Sequence, residues 1–479
     1  MTASDKKAEN GFDSSPRANG FSIHAESLGS PAFRQTYGIR YAHAAGAMYK
    51  SIASKELVIS MAKAGLLGFL GTGGMKYEEV EAAIQAIQQA LPHQQNYGVN
   101  LLNNLFQADY ESHMVDLYLK YGIRTIEAAA YLDVSSELIR FRLLGLKQNE
   151  TGNIICTHNI IAKVSRPEVA AVFMRPPSES IVQKLLKLNK ISAQQAQWGK
   201  LFPVATDICI ESDSGGHTDQ GVALALLPAM QRLRQDVQQE HQYAEPLRLG
   251  AAGGIGTPEA AAAMFMMGAD FIVTGSINQC TVEAGTSDAV KELLQDINIQ
   301  DTEYAPAGDM FEFGAKVQVL KKGMFFPARA NKLYALYQQY DSLDALDEKT
   351  KNQLQTKYFK RTFDEIWNET RTYYLSKYPE VIHKAEQSPK HKMALIFKWY
   401  FIHSSRLALS GSATQKTDYQ VHTGPALGAF NQWVKGTQRE HWRNRYVAEI
   451  NEYLMQSTAA LLTQRFASFI QAERSPNAK

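Results

Sequence analysis

Cysteine is scarce in this chain: Cys156, Cys209 and Cys280 are the only three in 479 residues. They lie too far apart to pair around zinc and are too few for a disulfide scaffold, so a reducing compartment, the cytoplasm, is expected. No stretch approaches the roughly 18 apolar residues that a membrane span needs, and MTASDKKAENGFDSS has no apolar core of signal-peptide type. An excess of one charge is missing too, the formal net charge being +2. Neither a membrane nor a nucleic acid is expected as a partner. What is present is ordinary for a folded protein, with 45% hydrophobic and 20% charged residues, which excludes a disordered or fibrous chain.

The small net charge conceals a division. Up to Leu320 the chain holds 26 Lys and Arg against 34 Asp and Glu; after it, 24 against 14. Four of the five tryptophans, Trp367, Trp399, Trp433 and Trp442, fall in the basic part. The shift predicts a domain boundary between Asn298 and Gly323. Residues 1–30, rich in Ser, Gly, Asn and charge, read as a disordered tail. From Arg40 to Ser276, eight short apolar runs alternate with helical patterns, beginning at Arg40, Leu66, Asn96, Gly122, Asn159, Thr206, Leu247 and Asp270. Eight βα units predict an α/β fold, a closed (β/α)8 TIM barrel over residues 31–300. The fifth connection is long, and residues 175–203 are expected to form a lid-like insertion over the barrel mouth. Beyond Gly323 helical patterns dominate, predicting a helical C-terminal domain over 301–479, to which the resemblance described below adds the expectation of a substrate or carrier-protein role.

Two glycine clusters, GAAGGIG (Gly250 to Gly256) and VTGS (Val273 to Ser276), end the last two predicted strands. In a barrel those ends converge on the catalytic face, where backbone N–H groups can hold an anion. Gly253, Gly254, Gly275 and Ser276 are therefore candidate phosphate ligands, although tight turns alone would also use such glycines. IESDSGGHTDQG follows the sixth strand and puts an imidazole where the mouth should be. His217 is the candidate catalytic residue, able to stabilise an oxyanion or pass a proton near neutral pH; a solvent-exposed loop histidine is the bland alternative. The nearby Glu211, Asp213 and Asp219 have no spacing distinctive of a metal site, and no metal is expected.

The barrel half resembles the FMN-dependent nitronate monooxygenase and flavin enoyl reductase superfamily, which carries a Gly-Gly-His loop after the sixth strand. More closely, ESDSGGHTD, FEFGAKVQVLKKG from Phe311, RANKLYALY from Arg329 and GPALGAFNQW from Gly424 resemble PfaD-type proteins, trans-acting enoyl reductases of polyunsaturated fatty acid and polyketide synthases. The resemblance implies FMN in the mouth, NADPH as hydride source and a 2,3-enoyl thioester on an acyl carrier protein as substrate. It also implies flavin contacts from Gly46, Ala47, Met48, Asn100, Lys163, Ser214, Gly215 and Gly216, with Met48 equally readable as barrel packing. A homodimer is compatible with all of this. The eighth-strand loop, Gly275-Ser276-Ile277-Asn278, lacks the arginine of many nitronate monooxygenases, which removes an extra ion pair to phosphate. Two rival functions are a nitronate monooxygenase acting on nitroalkanes and a non-catalytic docking subunit of a synthase.

Overall fold

The computed structural model describes residues 21–103 and 109–474. Two compact units are formed: the described residues 21–103, 109–213, 220–285 and 429–474 make the first, and residues 214–219 and 286–428 the second.

The first unit is a closed, all-parallel barrel of eight strands: β1 (His43–Ala45), β2 (Leu67–Leu70), β3 (Tyr97–Leu102), β4 (Thr125–Ala129), β5 (Asn159–Val164), β6 (Asp207–Glu211), β7 (Arg248–Ala252) and β8 (Phe271–Thr274). Each predicted strand contains one of them. Closure comes from β1 pairing with β8, Ala45 opposite Thr274. The glycine inside β7 has a packing reason: a Cβ on Gly250 would lie 2.2 Å from the Phe271 ring, which occupies that space. Thr257 begins the next helix, Pro258–Met266, by accepting the Ala260 N–H at 3.4 Å, as its Thr-Pro-Glu start predicts.

One end of the barrel is sealed. Helix Pro31–Tyr37 is capped by Ser30 and ends at Gly38, whose φ is +63°. Its Phe33 stacks on Phe271 at 4.1 Å, and its Tyr37 hydroxyl donates to Asp207 at 2.7 Å. Asp207 in turn accepts both Arg248 Nε at 2.5 Å and a second guanidinium N–H at 2.8 Å. Asp207, Arg248 and Phe271 are the first residues of their strands, so this plug closes the N-terminal ends. Fully burying Phe33 contributes about 2–3 kcal/mol. Chemistry is left to the C-terminal ends.

The segment expected to cover the mouth does not follow a strand. Helix Pro167–Met174 already completes the fifth βα unit. Residues 175–203 then form helices Glu179–Lys187 and Ala193–Trp198 before β6 begins. Val204 N–H donates to Arg175 O and Ala205 N–H to Phe173 O, both at 2.9 Å, so the insertion leaves and returns beside the start of β6. It packs against helix Ser136–Leu144, where a Cβ on Gly199 would meet Leu143 at 2.6 Å. An αβ connection lies at the sealed end, and no lid results.

In the second unit, Thr302–Pro306, Lys316–Leu320 and Gly216–Thr218 form an antiparallel sheet in that order. Helices Phe326–Gln339, Phe363–Leu375, Pro379–Gln387 and Pro389–Ser410 accompany it, around a core that includes Phe311, Phe326, Leu333, Phe397 and Tyr400. The helical domain expected over 301–479 carries this sheet beside its helices, and residues 429–474 group with the barrel unit. Helix Val447–Arg474 buries Ile450, Leu454 and Met455. An amphipathic period states that a face is buried without stating against which core. Of the expected tail, residues 1–20 lie outside the described residues, whereas Ile23 N–H already donates to Thr463 Oγ1 at 2.9 Å.

Candidate functional site

Three charged side chains sit on adjacent barrel strands. Lys163 on β5 lies 3.0 Å from Glu211 on β6 and 3.7 Å from Glu127 on β4. Glu127 is buried. Its carboxylate also accepts the Ala47 N–H at 3.1 Å, tying the loop after β1 to the centre. Burial opposes the Lys163 charge, but Glu211 and Glu127 together outweigh it and hold the ammonium above its ordinary pKa. Burial pushes the Glu127 carboxyl up, while Lys163 and the Ala47 amide pull against it. Held between the two carboxylates, the Lys163 ammonium is a fixed, charged hydrogen-bond donor.

The loop after β1 is held rigidly around this centre. Gly46 N–H donates to Thr274 O at 2.9 Å. Lys50 and Ser51 adopt φ of +54° and +56°, and their N–H groups reach Gly73 O and Gly71 O. Met48 is clamped through its backbone, since a Cβ on Gly71 would fall 1.7 Å from Met48 O. Asn100 on β3 donates to Glu127 O at 3.0 Å, and its own carbonyl accepts from Thr72 and Tyr118.

Register brings the glycine clusters to neighbouring strand ends. Ala252 pairs with Val273, so Gly253 and Gly254 stand beside Gly275, and Gly46 follows on β1. Gly253, at φ +89°, must be glycine twice over: a Cβ would lie 2.7 Å from the carbonyls of Ser212 and Asp213. Gly254, at φ +73°, and Gly275 face open space instead. Ser276 starts a single helical turn, with Asn278 N–H donating to Gly275 O at 2.9 Å. Exposed backbone on two adjacent strand ends suits an anion. Cys209, in β6, is buried, and burial pushes its thiol well above the ordinary value.

His217 stands in an excursion from the end of β6. Asp213 N–H donates to Gly221 O at 2.8 Å, so the chain departs and returns at the end of β6. The excursion between them, with Ser214, Gly215, Gly216 and His217, belongs to the second unit. There Gly216–Thr218 pairs with Lys316–Gln318. The imidazole Nε2 lies 2.9 Å from Asp309 Oδ1, and the ring meets that of His422 edge-on at 6.4 Å. His422 is lowered to about 4 by burial, with His217 adding to the effect. The Gln420 amide donates to His422 Nε2 at 2.8 Å while its oxygen accepts from Ser405, which fits a neutral ring protonated on Nδ1. Gly424 permits the close approach of this segment, since its Cβ would be 2.9 Å from Gly215 N.

Thus Gly46, Ala47, Met48, Asn100, Lys163, Gly253, Gly254, Gly275 and Ser276 fall in the barrel unit, and Ser214, Gly215, Gly216 and His217 in the other. Glu127, Asp309 and His422 escape the sequence reading, and Glu211 is weighed there only as a metal ligand. A signal existed for the carboxylates: a glutamate embedded in TIEAA and another ending DICIE are charges inside barrel strands, matched by the lysine of NIIAKV. Asp309 and His422 carry no such mark, because long-range pairing alone brings them to His217.

The nitronate monooxygenase family model matches residues 31–322, and the inserted helical domain of acyl-carrier-protein S-malonyltransferase matches residues 340–419. The polyketide biosynthesis protein PksE of Bacillus subtilis is 57% identical over 449 residues, covering 94% of this chain and 58% of that protein. A polyunsaturated fatty acid synthase polypeptide of a Thraustochytrium species is 43% identical over 414 residues, covering 86% of this chain and 28% of that polypeptide. The chain thus spans well under two thirds of either. The crystal structure of the enoyl reductase domain of MlnA, from the macrolactin cluster of Bacillus amyloliquefaciens, superposes with a TM-score of 0.89 at 50% identity, covering 92% of this chain and 99% of that one. The chain therefore belongs to the nitronate monooxygenase family of flavin-dependent oxidoreductases, and within it to the PfaD-type proteins.

Proposed function

We propose that this chain is a trans-acting, FMN-dependent enoyl reductase that reduces the 2,3-double bond of enoyl thioesters carried on an acyl carrier protein, with NADPH as reductant. The observation that carries this reading is the match to an enoyl reductase domain over 99% of that domain's length. The barrel residues fit FMN. Gly254 and Gly275 leave backbone open to a phosphate, with Gly253 and Ser276 beside them, and Lys163 offers a partly buried cation. Gly46, Ala47, Met48 and Asn100 would line the isoalloxazine. When bound, FMN would supply the hydride chemistry that links NADPH oxidation to reduction of the enoyl double bond.

The residues' own tasks follow from that charge flow. Negative charge arrives on the thioester oxygen, and the α-carbon must gain a proton. His217 donates to one or the other, which lowers the barrier electrostatically or by general acid catalysis. The helical segment matched to an acyl-carrier-protein transferase domain supports a carrier-borne substrate. Purification in air should yield a yellow protein whose NADPH-reduced form is reoxidised anaerobically by a crotonyl thioester on a carrier protein. A colourless protein, or one reoxidised only through nitroalkane and oxygen, would sink the proposal.

A further inference from the structure

We infer that Asp309 is a positioning residue for His217, holding the imidazole by its Nε2–H in the orientation and protonation state needed to donate a proton to the reduced substrate. This deepens the reading above and rests on it.

The geometry is local to the second unit. Asp309 lies between strand Thr302–Pro306 and the turn at Phe311–Phe313. Both flanks are anchored: Phe311 is fully buried, and a Cβ on Gly308 would sit 2.6 Å from Phe401. His217 is fixed from the other side by the ladder, opposite Val317. Two rigid segments therefore meet at a 2.9 Å hydrogen bond between Nε2 and Oδ1. A carboxylate there fixes the tautomer, since the neutral ring keeps its proton on Nε2, and it stabilises the imidazolium.

His422, packed edge-on, is lowered to about 4 by burial and stays neutral. Lys316 stands opposite Thr218, and Asp219 follows in the chain. Desolvation pushes the Asp309 carboxyl up, and the hydrogen bond and charge of His217 more than reverse this. In the reaction, the protonated His217 ring gives one proton to the α-carbon as hydride reaches the β-carbon. It retains the Nε2–H held by Asp309 and regains the lost proton from solvent.

The side chains are 50% and 62% exposed, and an ion pair this exposed contributes little to folding, so variants should fold. Asp309→Asn keeps an acceptor and loses the charge, whereas Asp309→Ala loses both. With selectively labelled histidine, the His217 imidazole should titrate lower in D309N, because the charge that favours its protonated form is gone. The alkaline limb of enoyl-dependent turnover should move down equally, with flavin content and NADPH-dependent reduction unchanged. D309A should turn over more slowly than D309N at pH 6, and D309A should add nothing to H217A. An unchanged His217 titration and pH profile in D309N would overturn the role of Asp309. Failure of the wild-type protein to reduce enoyl substrate would instead overturn the functional reading, and the histidine titration still reports on the pair.

Discussion

Lys163 and Glu127 stand 3.7 Å apart on adjacent barrel strands, and the carboxylate is only 2% exposed. Removing the cation leaves that carboxylate with the Ala47 N–H but without an opposite charge, and breaking a buried pair in this way costs about 3 kcal/mol or more. Burial already raises the Glu127 pKa, so the native state binds more protons than the unfolded state between the two values. Stability from this group therefore falls as pH rises through that window. Lys163→Met raises the native value further and widens the window. Urea unfolding should show a deficit of about 3 kcal/mol at pH 8 that shrinks at pH 5, and Glu127→Gln in the same chain should recover most of it. An equal deficit at both pH values would mean that Lys163 contributes packing alone.

Gly275 offers a clean test of the phosphate site. Its φ is −130° and a Cβ there meets open space, so Gly275→Asp should melt close to wild type. The carboxylate would face a phosphate of like charge, and bound flavin per chain after gel filtration should drop at least about ten-fold. Gly254→Asp should also lose flavin, but its φ of +73° adds backbone strain for any side chain. Full occupancy in G275D would remove the two clusters from the site.

His217→Ala should retain flavin and its reduction by NADPH, while enoyl-dependent reoxidation slows by about two to three orders of magnitude, the scale of losing one oriented donor. Stopped-flow absorbance separates the half-reactions. Should both slow together, the histidine acts before the enoyl step.

Carrier-protein recognition should depend on salt. The basic C-terminal part would steer an acidic carrier, and such steering is screened beyond about 8 Å at physiological ionic strength. Catalytic efficiency with carrier-bound substrate should fall steeply between low and high salt, and that with a small neutral thioester much less. Lys351→Glu and Lys357→Glu are suitable reversals. Lys360 is not, because it pairs with the buried Asp418 at 3.3 Å, and a carboxylate there would damage the fold. Identical salt responses for both substrates would dismiss the docking idea.

How much of this was legible beforehand differs between the two parts of the molecule. Apolar runs of strand length, each separated by a helical period, are local features, and all eight barrel strands lie inside the predicted runs. The glycines of GAAGGIG were legible for the same reason, since a required backbone conformation is written at the residue that adopts it. Residues 175–203 were misjudged because length alone does not tell a βα loop from an αβ connection; only the direction of helix Pro167–Met174 does.

Pairing across the chain had no such local mark. That Asp309 meets His217, 92 residues away, depends on the antiparallel ladder joining Gly216–Thr218 to Lys316–Gln318. The same holds for Asn451, whose amide reaches Asn278 at 2.8 Å across 173 residues and ties the last helix to the barrel rather than to the helical region preceding it. Sequence by itself determined the barrel, its strand order in the chain and the glycine-rich ends, because period and backbone conformation are encoded residue by residue. Tertiary structure alone decided which core each amphipathic helix covers and which acid faces which base, because burial and charge pairing are set by contacts between distant segments.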